Sequence, residues 1–129
     1  MDTSDKKVLI VEDDDMLRNI LVTQMRTRYL TLEAKDGEAA LKQIVENTPD
    51  AVILDLMLPK TDGFHVLEAL RANSDKKIAA TPVVVVSNLT DPASIKKAES
   101  FNIEAYFTKA DVSMGTLVNR IRRIFANLP

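Results

Sequence analysis

The sequence predicts a doubly wound α/β fold, with a five-stranded parallel sheet covered by helices on both faces. Short, continuous apolar runs, typical of strands buried on both faces, alternate along the chain with stretches whose apolar residues have helical spacing. Strands that alternate with helices form parallel sheets, and the connections in such sheets are right-handed. The length of 129 residues suffices for one domain with a substantial core.

Five runs rich in apolar or β-branched residues are the predicted strands, and they span residues 8–11, 29–34, 51–54, 83–86 and 105–107. A predicted helix follows each strand, which gives five helices, marked by apolar residues within 17–25, 41–45, 66–70, 95–101 and 117–128. The second run contains Glu33 and is predicted to lie near an edge of the sheet. The segment 73–81 is predicted to be a polar connection.

The fourth predicted helix has a clear start but little to bury. Asp91 and Pro92 form an N-cap followed by proline at the first helical position. Only Ile95, Ala98 and Phe101 provide an apolar face. Because the packing of an apolar face supplies most of a helix's stability, we expect this helix to be held least firmly.

A common order for five such strands is 2-1-3-4-5, the flavodoxin-like arrangement, in which ligands bind beyond the carboxyl ends of strands 1 and 3. Chemically active side chains stand at four strand ends in this chain. They are Glu12, Asp13 and Asp14 after strand 1, Asp55 after strand 3, Ser87 after strand 4, and Lys109 after strand 5 with Tyr106 just before it. Because the carboxyl ends of parallel strands meet at one edge, we expect a single pocket.

The converging acids predict a metal site. Several carboxylates at one point stay ionised only when a cation lies among them. An all-oxygen set without His or Cys favours Mg²⁺. Asp13 and Asp55 are the predicted direct ligands. Glu12 is predicted to act through water, and the backbone carbonyl of Met57 can reach the ion.

Asp55 is the predicted nucleophile, because it lies at the tip of the central strand and a carboxylate can form a covalent phosphoryl adduct. Mg²⁺ would neutralise one phosphoryl oxygen, the Lys109 ammonium another and the Ser87 hydroxyl a third. Taken singly, a strand-end aspartate is more often a helix cap and a lone lysine a solvated charge, but their joint occurrence favours the phosphoryl site. Asp14 and Asp15 are predicted to cap the first helix instead.

Four segments carry a resemblance to a known family. They are VLIVEDD at 8–14, DAVILDLMLPKTDGFHVL at 50–67, PVVVVSN at 82–88 and YFTK at 106–109. In this order and spacing, the chain resembles the receiver domain of bacterial two-component response regulators, of the chemotaxis-regulator kind, over residues 7–127. On this basis we expect residues 1–6 and 128–129 to be flexible termini.

The resemblance implies a phosphorylation-dependent signalling switch and not an enzyme. Asp55 would accept a phosphoryl group from a histidine kinase or histidine phosphotransfer protein, with Mg²⁺ required. Ser87 would then move towards the phosphoryl group, and Tyr106 would rotate inward. This change would remodel the surface of the fourth helix, the fifth strand and the last helix, which an unknown downstream protein effector would recognise. This expected change is physically reasonable, because a phosphoryl group adds charge and acceptor oxygens that attract a nearby hydroxyl and reorder a loosely held segment.

A phosphorylation-linked homodimer is a further expectation that relatives suggest. Arg120, Arg122 and Arg123 form a basic patch on the last helix. Such a patch is usually a solvated face. In a dimer it would pair with acids such as Glu99 or Glu104 of the other copy.

Three departures from the family pattern carry expectations. Ala110 follows Lys109, where the family usually has proline in a cis peptide bond. A cis bond before alanine costs about 2.5–4 kcal/mol, against about 0.5–1 kcal/mol before proline, so we expect either a trans bond with a reshaped loop or a strained cis bond. Asn88 is larger than the usual residue and could alter access to the phosphoryl group. Met57 and Leu89 are apolar and cannot orient a water, which predicts slow self-hydrolysis.

Composition excludes several function classes. The net charge of -2 gives no general reason to bind nucleic acid directly or an anionic membrane. The absence of cysteine excludes disulfides, thiolate metal sites and thiol catalysis. No apolar run approaches the roughly 18 residues of a membrane span, and residues 1–7 lack a signal peptide's apolar core, so a cytoplasmic protein is expected. His65, the only histidine, is predicted to be solvated and not a phosphocarrier.

Three alternative interpretations are weaker. A Mg²⁺-dependent phosphatase of the haloacid dehalogenase type needs a second acid two residues after the nucleophile, where this chain has Met57. A pseudo-receiver, a non-phosphorylated protein-binding module of the same fold, usually lacks an acid that is present here. A flavin-binding protein needs a phosphate loop after strand 1, where acids stand instead. A single-domain regulator is the expectation, although a fragment of a larger regulator would have the same sequence.

Overall fold

The computed structural model describes residues 5–128 and confirms the predicted strand order. Within these residues the sheet has five strands, β1 (Lys7–Val11), β2 (Leu30–Ala34), β3 (Ala51–Leu54), β4 (Val83–Ser87) and β5 (Ala105–Thr108). Their order is β2-β1-β3-β4-β5, and all neighbours are parallel. The expectation of flexible termini falls partly on residues 1–4 and 129, which lie outside the described residues.

Residues 5–128 contain six helices, where the sequence predicts five. They are α1 (Asp15–Met25), α2 (Gly37–Asn47), α3 (Gly63–Arg71), α4 (Lys76–Ala79), α5 (Pro92–Glu99) and α6 (Met114–Ala126). No helix in this part of the chain combines the length and the apolar character needed to cross a membrane.

The additional helix, α4, lies in the segment 73–81, for which the sequence predicts a polar connection and no helix. A helix of four residues is too short to show helical periodicity in the sequence. Asp75 caps it by accepting hydrogen bonds from the amides of Lys77 at 2.9 Å and Ile78 at 3.4 Å. Ile78 is its one buried side chain. A local cap and one apolar contact therefore produce an element that pattern analysis misses.

Side-chain caps start the longer helices. Asp14 precedes α1 and accepts a hydrogen bond from the amide of Leu17 at 3.0 Å, while Asp15 lies in the first turn. Asp91 caps α5 through the amide of Ser94, also at 3.0 Å, as predicted. Each such cap stabilises a helix by about 1 kcal/mol. The caps also start the helices directly beyond the loops that follow the strands.

Side chains alternate across the sheet, so each face has its own apolar core. The core under α2, α3 and α5 takes from the strands Leu9, Val11, Val52, Leu54, Val83 and Val85. The core under α1 and α6 takes from them Val8, Ile10, Ile53, Val84 and Val86. Because β1, β3 and β4 are buried on both faces, their sequences are continuous apolar runs. These three central strands carry most of the candidate site at their carboxyl ends.

Helix α5 is attached mainly at its C-terminal end. Ala98 is its one buried side chain, in line with its sparse apolar face. Just beyond the helix, the Arg71 guanidinium donates hydrogen bonds to the carbonyls of Phe101 at 2.7 Å and Asn102 at 3.3 Å. It also donates to two carbonyls near the end of α4. Arg71 therefore joins the ends of α3, α4 and α5.

Candidate functional site

The site lies where β1, β3, β4 and β5 end at one edge of the sheet. The ladder continues one residue past the strands: the Asp55 amide donates to the Val11 carbonyl at 3.1 Å, and the Lys109 amide donates to the Ser87 carbonyl at 3.0 Å. These bonds fix the backbone from which the polar side chains project. The sheet therefore brings together the residues that the strand order predicts.

Three carboxylates form the centre of the site. Glu12, Asp13 and Asp55 each offer an oxygen, and these oxygens lie within 4.8 Å of one another. Glu12 and Asp55 are buried, with 2% and 3% of their surface exposed, while Asp13 is open to solvent. Burying two carboxylates is costly unless they are paired. Their partner is Lys109, which directly follows β5.

Lys109 bridges the two buried acids. Its Nζ lies 2.8 Å from Asp55 Oδ2 and 2.8 Å from Glu12 Oε1. Burial alone would lower the pKa of Lys109, but the hydrogen bonds to Asp55 and Glu12 raise it. Burial raises the pKa of Glu12, although its bonds to Lys109 and to the Asp14 amide oppose this. One ammonium therefore faces three acids, and the pocket keeps an excess of negative charge.

The Asp55 carboxylate is held at both oxygens. Oδ2 accepts from Lys109, and Oδ1 accepts a 3.1 Å hydrogen bond from the amide of Met57. The Met57 side chain points outward and is 54% exposed. Both contacts fix the orientation of the Asp55 carboxylate within the site.

Ser87 and Tyr106 share one partner, the backbone of Leu89 in the loop between β4 and α5. The buried Ser87 hydroxyl accepts a hydrogen bond from the Leu89 amide at 3.3 Å, and the Tyr106 hydroxyl donates to the Leu89 carbonyl at 2.6 Å. Tyr106 is half-buried against the core, and this burial raises its pKa. The sequence predicts Ser87 and Tyr106 as switch residues, but nothing in it indicates that Leu89 connects them.

The peptide bond between Lys109 and Ala110 is trans, since residues 5–128 contain no cis peptide bond. Of the two expected arrangements, the chain adopts the trans bond. A turn follows, in which the amides of Asp111 and Val112 donate to the Thr108 carbonyl at 3.1 and 3.0 Å. Lys109 nevertheless reaches both acids, so alanine at position 110 is compatible with the lysine bridge.

Arg18 is a further residue at the edge of the site that the sequence analysis missed. It donates to the Glu12 carbonyl at 3.0 Å and forms ion pairs with Asp15 at 2.7 Å and Glu33 at 3.2 Å. It therefore ties the loop after β1 to β2. Its place in α1 resembles that of any exposed helical arginine, so only the tertiary structure reveals it. His65, by contrast, is exposed on α3, as predicted.

The fold and the pocket of acids define the class of protein, a doubly wound α/β domain whose polar site lies at the carboxyl edge of a parallel sheet. Comparison with known families is more specific. The chain belongs to the response regulator receiver domain family, which matches residues 8–122. Members of this family are the phospho-accepting domains of two-component switches, so the resemblance found in the sequence is confirmed.

Individual response regulators are similar to this chain in sequence and in structure. The chain is 36% identical over 120 residues to the probable transcriptional regulator ycf27 of Guillardia theta, covering 92% of this chain and 45% of that protein. The Francisella response regulator 1452 receiver domain has a TM-score of 0.83 at 28% identity, covering 95% of this chain and 98% of that one. A LuxR-family DNA-binding response regulator from Staphylococcus aureus has a TM-score of 0.82 at 30% identity, covering 92% and 98%. The chain spans less than half the length of several curated relatives that it matches.

Proposed function

We propose that Asp55 accepts a phosphoryl group from a histidine kinase or a histidine phosphotransfer protein. The observation that carries this proposal is the bridge from Lys109 to Asp55 and Glu12, at 2.8 Å each, at the tip of the central strand. Response regulators as a class are phosphorylated by histidine kinases and act on downstream effectors. The bridge places a cation beside the carboxylate at which negative charge would increase.

The donor set fits Mg²⁺, which receiver domains generally bind at an acidic pocket. Glu12, Asp13 and Asp55 provide oxygen donors alone, and a single lysine does not balance their charge. Asp13, Asp55 and the carbonyl of Met57 would hold the ion. Glu12, whose oxygens accept hydrogen bonds from Lys109 and the Asp14 amide, would contact the ion through water. When bound, the ion neutralises charge on the phosphoryl oxygens.

The transfer needs little from the protein beyond position and charge. An Asp55 oxygen would bond to phosphorus as the bond from phosphorus to the donor histidine nitrogen breaks, and that nitrogen keeps the electron pair. Lys109 would then bind one phosphoryl oxygen.

The Met57 side chain is apolar and exposed, and the Leu89 side chain is apolar and partly exposed. Neither can orient a water molecule for hydrolysis of phospho-Asp55. A phospho-Asp55 lifetime of seconds would contradict the interpretation that the apolar side chains of Met57 and Leu89 make this hydrolysis slow.

The switch would run through Leu89. Ser87, whose hydroxyl accepts from the Leu89 amide, would move towards the phosphoryl group, and Tyr106 holds the carbonyl of the same residue. Movement of one therefore disturbs the other and the start of α5. The surface of α5, β5 and α6 would change and be recognised by a downstream protein. A homodimer through the arginine patch of α6 is one form that this recognition could take.

Intact mass spectrometry tests the proposal. The protein is incubated with acetyl phosphate and Mg²⁺, beside Asp55→Asn and a sample with a chelator. We expect a gain of one phosphoryl group that the substitution and the chelator both abolish. A folded protein without any gain would contradict the proposal and favour a binding module that is never phosphorylated.

A further inference from the structure

The loop of residues 56–62, between β3 and α3, starts next to Asp55 and carries the Met57 carbonyl. It is closed at its base, where the amide of Gly63 donates to the Leu56 carbonyl at 2.9 Å. Gly63 also leaves no room for a side chain, because a Cβ there would lie 2.5 Å from the Asp55 carbonyl oxygen. The base of the loop is therefore pressed against the backbone of Asp55. Its far side rests on a different element.

The far side of the loop rests on the first residue of α2. A Cβ on Gly37 would lie 1.7 Å from the carbonyl oxygen of Thr61 and 2.6 Å from its carbonyl carbon. Real Cβ atoms do not approach other atoms closer than 3.0 Å, so a side chain at Gly37 forces the Thr61 backbone to move. No glycine in residues 5–128 has a positive φ, so Gly37 is required here for space and not for its backbone conformation.

A second contact lies beside the first. Asp36 is buried and caps α2 through the amide of Ala39 at 2.7 Å, and its other oxygen lies 3.7 Å from Lys60 Nζ. Lys60 has a left-handed backbone with φ 65°, an unfavourable conformation for a residue with a side chain. The loop is thus held against α2 at two consecutive residues, Lys60 and Thr61.

We infer that Gly37, together with the adjacent ion pair of Asp36 and Lys60, positions the loop that presents the Met57 carbonyl to the Mg²⁺ site, with Gly37 acting through Thr61. This inference rests on the proposed function. The hydrogen bond between Gly63 and Leu56 holds the two ends of the loop together. Displacement of Thr61 therefore cannot be taken up at those ends and is passed on to Met57. Residues that orient a metal ligand without touching the metal typically change affinity by about 10–100-fold when altered. The three atoms nearest to a Cβ at Gly37 all belong to Thr61, which is not one of the proposed metal ligands.

The test compares Gly37→Ala with Gly115→Ala, both measured by calorimetric titration with Mg²⁺. Gly115 also lies in the first turn of a helix, and a Cβ there would have no atom within 4 Å, so it is a matched control. We expect Gly37→Ala to bind Mg²⁺ about tenfold more weakly and the control to bind like the wild type. A purely structural role would lower the melting temperature and leave the Mg²⁺ affinity unchanged. Unchanged affinity in folded Gly37→Ala therefore overturns the inference.

Two further measurements complete the test. If Gly37→Ala does not fold, the double variant Asp36→Asn with Lys60→Met decides: it removes the ion pair, keeps the net charge and retains a capping side chain. Weaker Mg²⁺ binding supports the inference, and unchanged binding overturns it. Wild-type protein that fails to bind Mg²⁺ would contradict the proposed function together with the inference, whereas an unchanged variant contradicts the inference alone.

Discussion

The Tyr106 hydroxyl donates a 2.6 Å hydrogen bond to the carbonyl of Leu89, the residue whose amide is bonded to Ser87. One loop residue is thus attached to both side chains of the expected switch. The bond also fixes the start of α5, a helix with a single buried side chain. Rotation of Tyr106 or movement of Ser87 cannot occur without a change at Leu89.

Tyr106→Phe should loosen the loop between β4 and α5 without preventing phosphorylation. It removes one hydrogen bond and keeps the ring in the core, so the expected loss is about 1 kcal/mol in the free energy of unfolding. Amide hydrogen exchange at residues 88–95 should become faster, while exchange in β1 and β3 stays as in the wild type. Unaltered exchange at 88–95 would show that the bond does not restrain the loop.

Lys109→Met should destabilise the fold at neutral pH in the absence of Mg²⁺. The methionine replaces the aliphatic part of the lysine but leaves Glu12 and Asp55 without their cation, at an expected cost of about 1–3 kcal/mol. Because the pKa of Lys109 is raised in the fold, its contribution to stability is complete below the ordinary lysine pKa of 10.5 and is lost as the pH rises through the folded pKa. Urea unfolding at pH 7 and at strongly alkaline pH should therefore show a difference between variant and wild type that narrows at high pH.

Glu12→Gln should make the stability of the Mg²⁺-free protein less dependent on pH. Burial raises the pKa of Glu12, so the folded state binds a proton more tightly than the unfolded state. The contribution of Glu12 to stability is therefore complete below the ordinary glutamate pKa of 4.5 and is lost as the pH rises through its raised pKa in the fold. Glutamine has the shape of the neutral acid and removes this decline. Melting temperatures from pH 4 to 8 should fall less steeply in the variant, and parallel curves would contradict this role of Glu12.

Arg71→Met should cost about 2–4 kcal/mol, because four backbone carbonyls lose a charged donor in a partly buried setting. The loss should also release the C-terminal end of α5. Arg26→Met is the control, since Arg26 is exposed, and it should change stability by less than about 0.5 kcal/mol. Equal effects of the two substitutions in urea unfolding would show that the Arg71 hydrogen bonds do not stabilise the fold.

Much of the fold could be predicted because strands buried on both faces leave an unbroken apolar signal, as in 83–86. The errors arose where a tertiary contact overrides the local pattern. Tyr29 lies outside β2, which begins at Leu30, since its amide donates to the Met25 carbonyl at 3.0 Å, and its ring packs edge-on against Phe125 at 5.0 Å. Helix α4 depends on one cap and one buried isoleucine, and neither produces a periodic pattern.

The candidate site could be predicted to the extent that it depends on strand ends. Parallel strands in a known order bring their carboxyl ends together, so Asp13, Asp55 and Lys109 could be grouped from the sequence. The supports of the site could not. Arg18 donates to the Glu12 carbonyl, and Gly37 packs against the Thr61 backbone, so neither partner is specified by side-chain type. Such contacts become visible only once the chain is folded.

The central claim is that Asp55 is the phospho-acceptor. The most direct measurement is to phosphorylate the protein with acetyl phosphate and Mg²⁺, reduce the acyl phosphate with borohydride, and map the product by peptide mass spectrometry. Reduction converts a phosphorylated aspartate into homoserine and leaves free aspartates unchanged. The result predicted is homoserine at position 55 alone. Homoserine at position 13 or 14 with Asp55 intact would contradict the claim.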